Sequence, residues 1–122
     1  ACEGEVMTDR ELLEKAAKAA GYDTSHPWNA GRLLLVPPVD ALCISDVSTG
    51  WNPLNNDGHA LSLAVELRIE VGFNDDCSEV DVWTPHRSHN ILYEGYGNDV
   101  NAATRRAITR AAAAIQEARE AV

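Results

Sequence analysis

Cysteine is scarce and odd in number. Cys2, Cys43 and Cys77 are widely spaced and no C-x-x-C occurs. That excludes a disulfide framework and a zinc knuckle or redox pair built on such a motif. Each thiol is expected to act as a small buried hydrophobe in a reducing cytoplasm. The five prolines and eight glycines are too few for a low-complexity or collagen-like chain. No apolar run approaches the roughly 18 residues of a membrane span. Residues 1–6 lack the cationic start and apolar stretch of a signal peptide. Basic residues are also in short supply, ten against nineteen acidic ones, for a net charge of −9. Such a chain is repelled by nucleic-acid polymers and by anionic membranes, so neither is expected as a partner.

What is present fits one domain: 122 residues, 45% of them hydrophobic and 24% charged. Met7 followed by Thr8-Asp9-Arg10-Glu11 reads as a natural start, so residues 1–7 are taken as an N-terminal extension or an expression remnant and 8–122 as the domain. The charge is unevenly spread. Residues 40–81 hold nine acids against Arg68 alone, whereas 99–122 carry four arginines against three acids. The two regions are able to attract each other within one molecule or between two copies; the plainer expectation is solvated faces.

The periodicity predicts three helices and an antiparallel hairpin. Thr8-Asp9-Arg10-Glu11 fits a capping box that opens a helix over 8–20, stopped by Gly21. Leu33–Val36 and Leu42–Ile44 are short extended candidates. After the turn Trp51–Gly58, with Asp57 as expected cap, residues 58–67 present Ala60, Leu61, Ala64, Val65 and Leu67 as a helical apolar face. Arg68–Phe73 and Glu79–Trp83 alternate with period two and pair through a turn at Asn74–Asp76, with Asn90–Tyr93 as a possible third strand. Asp99 opens a last helix over about 100–120, narrow with alanine and therefore suited to close packing or to a homodimer. The fold class is α+β, with three main helices on one or both faces of a small, largely antiparallel sheet.

Five places carry residue types able to do chemistry, and each has a structural reading beside the functional one. Trp51 and Asn52 either stack on and read a ligand or form a core lid and turn. Arg105, Arg106 and Arg110 either clamp an anion or pair with acids such as Glu66, Asp75 or Asp76. Gly95–Asp99 is either an anion nest or a plain connector into the last helix; it is neither a P-loop nor a dinucleotide fingerprint. His86-Arg87-Ser88-His89 reads as a polar loop, lacking the placement of a zinc or nucleophilic site. Trp28 is the aromatic best placed for a ligand or interface, whereas Trp83 reads as core or dimer contact. No cofactor, metal site or catalytic residue is expected.

Trp51-Asn52-Pro53-Leu54, Asp57-Gly58 and Ala60-Leu61, in order after Glu11–Gly21 and before Ala103–Ala112, resemble small bacteriophage proteins with an ABA-sandwich domain, with more distant likeness to NinX-like phage proteins. The resemblance spans most of residues 8–116, is weakest over 22–50, and departs at His59 and at Val39–Ser48. It implies an α-β-α layered domain in a phage accessory protein of the bacterial host cytoplasm, and no catalysis. The expected function is a non-enzymatic, possible anti-defence binder that sequesters a small anionic or nucleotide signal through Trp28, Trp51, Asn52, Arg105, Arg106 and Arg110. The alternative is an acidic protein-interaction module acting on a host protein.

Overall fold

In a computed structural model, the structure describes residues 8–25, 42–44, 49–85 and 87–121. Helix α1 spans Asp9–Ala19. Its capping box is formed: the Glu11 amide donates to Thr8 Oγ1 at 3.2 Å, and the Thr8 amide donates to Glu11 Oε1 at 2.9 Å. Gly21, at φ +85°, turns the chain away in a conformation that favours glycine. Strands β1 (Leu42–Ile44) and β2 (Thr49–Trp51) pair antiparallel, with Leu42 opposite Trp51. The first confirms an extended candidate; the second is not among the expected strands and ends at Trp51, where the sequence places the start of a turn. The Leu33–Val36 run lies outside the described residues.

Helix α2 spans Asp57–Leu67 and is capped by Asn56, whose Oδ1 accepts the His59 amide at 2.9 Å. Asp57, expected as the cap, is instead the first helical residue. The buried stripe also differs from expectation: it is Ala60, Leu63, Ala64 and Leu67, an i, i+3, i+4, i+7 set, while Leu61 and Val65 face outward. The helix ends at Arg68 in the left-handed region (φ 58°), where its guanidinium donates to the Val65 carbonyl at 2.6 Å.

Strands β3 (Glu70–Asn74), β4 (Glu79–Thr84) and β5 (Arg87–Gly95) form an antiparallel sheet in that order. The register sets Val71 opposite Val82 and Phe73 opposite Val80, as the alternation predicts. The third strand is longer than Asn90–Tyr93, so the segment from Arg87, read as a polar loop, belongs to β5. Cys77 is exposed in the β3–β4 turn rather than buried.

Helix α3 spans Val100–Glu120, capped by Asp99, whose Oδ1 accepts the Ala102 amide at 3.0 Å. It is the hub of the molecule, packing on α1, α2, β4 and β5. Its buried face is Ala103, Ala107, Ile108, Thr109, Ala111, Ala112 and Ala113. Small side chains let α1 and the sheet approach closely. The alanine face is therefore used inside the chain, and a homodimer would need another surface. The core joins this face to Leu13, Leu63, Val80 and Val82, all fully enclosed. Among the described residues the fold is α+β, with three helices, a three-stranded antiparallel sheet and the β1–β2 pair, the class expected. Among the described residues, no helix is long and apolar enough to cross a membrane.

Candidate functional site

The Trp51–Pro53 turn is locked from within. Trp51 is 3% exposed and meets Tyr22 edge-to-face at 5.4 Å between ring centroids. Its other neighbour is the His59 ring, nearly parallel at 6.5 Å. The Asn52 amide donates to His59 Nδ1 at 3.0 Å, and Asn52 Oδ1 accepts the Leu54 amide at 2.8 Å. His59 thus fastens the turn. Burial beside this cluster, with Glu66 adding its negative charge, pushes the Tyr22 phenol pKa upward. Trp51 has no open face to offer a ligand; the core-lid reading describes it. Trp28 lies outside the described residues.

The three arginines do not converge. Arg105 donates to the Leu54 carbonyl at 2.9 Å and to Asp57 at 2.7 Å, stapling the turn to α3. Arg106 reaches Asp9 of α1 at 3.0 Å, whereas Arg110 reaches Glu94 and the Tyr93 carbonyl on β5. The structure therefore brings Trp51, Asn52 and Arg105 into one internal network and sends Arg106 and Arg110 elsewhere. Each guanidinium is matched by a carboxylate, though not by Glu66, Asp75 or Asp76. Asp75 instead accepts the Tyr96 hydroxyl at 2.7 Å, a bond that pushes the phenol up to about 12. Within Gly95–Asp99, the Tyr96 amide donates to the Ser78 carbonyl at 2.8 Å and Asp99 caps α3, as expected of a connector. Far from these groups, Lys15 donates to Glu120 at 2.6 Å; that bond raises the lysine pKa and lowers that of the carboxylate.

Among the described residues, an apolar groove of about 280 Å³ opens where α2, α3 and β3 meet. Ala60 and Ile108 form its buried floor. Its walls are Leu61 (64% exposed), Phe73 (59%) and Val100 (40%). Arg105 and Asp57, already paired, sit at its rim with Asn101 and Thr104. A monomer seldom leaves large apolar side chains clustered in the open without a use for them. Sequence reasoning placed Leu61 and Phe73 on buried faces. The signal it passed over is that α2 is apolar nearly all round, with more such residues than one stripe can bury.

Among the described residues, no group of three or more His, Cys, Asp or Glu side chains is placed to hold a metal ion. No family model, curated protein or solved structure matches the chain.

Proposed function

We propose that this protein is a non-enzymatic binding module that captures another protein through the groove between α2, α3 and β3. The observation carrying this reading is the set of uncovered large apolar side chains, Leu61, Phe73 and Val100, around one concavity. Such a concavity receives an apolar anchor, and the burial gained on docking offsets the cost of keeping it open in the free protein. The net charge of −9 favours a basic partner and makes the complex sensitive to salt. In the setting the phage resemblance implies, the partner is a host protein of the bacterial cytoplasm and this chain is an accessory protein acting on it. Sequestration of a small anionic or nucleotide signal has less support, since Arg105, Arg106 and Arg110 are each engaged by a carboxylate.

The test is capture from bacterial extract by the wild type and by a Leu61→Asp, Phe73→Asp double variant of equal thermal stability. The expected result is one defined protein held at low salt by the wild type, released as salt rises, and not held by the variant. Equal capture by both proteins would overturn the reading. So would tight, saturable binding of a nucleotide abolished by Arg105→Ala, in favour of the sequestering role.

A further inference from the structure

Among the described residues, β3 is an edge strand. It pairs with β4 on one side, and among the described residues no strand pairs with its other side. An edge strand offers a row of backbone donors and acceptors to any extended chain that reaches it. Edges are commonly blunted by proline, lysine, an inward charge or a bulge. β3 reads Glu-Val-Gly-Phe-Asn, and its register runs unbroken from Glu70 opposite Trp83 to Asn74 opposite Glu79. None of those devices is present on it.

The two sides of this edge differ in chemistry. The register puts Val71 and Phe73 on the helix-facing side, where Phe73 joins Leu61 and Val100 around the groove. It puts Glu70, Gly72 and Asn74 on the opposite side, beside Trp83, Asp81 and Glu79 of β4. The neighbouring Asp81 carboxyl holds that of Glu79 above the ordinary range, and Asp81 Oδ1 is buried without a hydrogen-bond partner. The nearest base in sequence, Arg68, is turned back onto the Val65 carbonyl. From Glu70 to Asp81 the chain carries five acids and no base.

We infer that β3 accepts an extended segment of the partner as a fourth strand, and that this segment alternates apolar and basic side chains. The inference rests on the proposed binding role and names the form of the partner. An added strand lies about 4.8 Å beyond β3. Its inward side chains fall beside Phe73 and over the groove; its outward ones fall beside Glu70 and Asn74. Main-chain bonds supply affinity in this mode and alternate side chains supply selectivity. A second copy of this chain is the wrong occupant, because its net charge of −9 meets an equal charge. A basic strand is drawn to the same edge.

The probe is a capped synthetic peptide of alternating lysine and valine, about six residues long, titrated into the intact protein by calorimetry. Two controls have the same composition, one with the valines at helical spacing and one alternating but N-methylated along one edge. The alternating peptide is expected to bind, with both controls and a Phe73→Asp variant weaker by roughly tenfold or more. Equal binding of all three peptides would overturn the inference in favour of bulk charge, and tighter binding of the helix-spaced peptide would replace the strand with a helix. If the groove variant loses the captured protein while the wild type ignores the alternating peptide, the binding role stands and the added strand falls. If the wild type captures no protein either, both fall.

Discussion

Helices α2 and α3 meet the same core and close it in opposite ways. α3 turns Ala103, Ala107, Ala111 and Ala112 inward, and all four are buried. α2 buries Leu63 completely yet leaves Leu61 and Val65 in the open. Covering a leucine is worth roughly 1.5–3 kcal/mol relative to exposing it, so the open side forgoes stability that the closed side takes. The open side is also where β3 ends its sheet unpaired among the described residues. The contrast teaches that this molecule separates its tasks: the alanine face of α3 holds the fold, whereas α2, β3 and the Val100 end of α3 present a surface.

Substitutions sharpen the contrast, beginning with the largest effect. Leu63→Ala is expected to cost about 2–5 kcal/mol in urea unfolding, while Leu61→Ala, two positions along the same helix, stays within about 0.5 kcal/mol. Equal losses would break the division between the sides. On the closed side, Ala107→Leu is expected to cost about 1–3 kcal/mol by overpacking against α1 and the sheet. A neutral outcome, read by thermal unfolding, would mean that α3 is not tightly enclosed.

The smallest effect belongs to the polar fastening beside β3. The Tyr96 phenol is raised from 10 to about 12 by its bond to the Asp75 carboxylate. A raised pKa means that the folded state keeps a proton the unfolded chain has lost. The contribution is full below pH 10 and is lost as pH rises through about 12. Absorbance titration should show Tyr22 and Tyr96 both ionising late, and Tyr96→Phe should remove the step near 12 together with that part of the alkaline loss.

Much of the fold was legible because its signals are local. Thr8 and Glu11 are three residues apart and spell a cap; the alternation of Val71, Phe73, Val80 and Val82 spells a hairpin. The errors arose where local signals compete. Asn56 and Asp57 are both good caps, and only the α2 geometry chooses between them. The apolar residues of α2 fit two stripes, and packing on α3 selects the one containing Leu63. β2 is three residues long, too short to show a period. The site was less legible still. Arg106 and Asp9 are 97 residues apart, and Arg105 and Asp57 are 48 apart, so no spacing rule could assign those pairs. A groove made by three elements has no sequence signature beyond a surplus of apolar residues on α2.

The central claim is that the β3 edge and the adjoining groove form one binding surface. Amide NMR of the labelled protein, titrated with the alternating lysine–valine peptide, addresses it residue by residue. The account predicts slowed hydrogen exchange along Glu70–Asn74 and shifted signals at Leu61 and Val100. Shifts confined to Arg105, Arg106 and Arg110, with β3 unchanged, would contradict it.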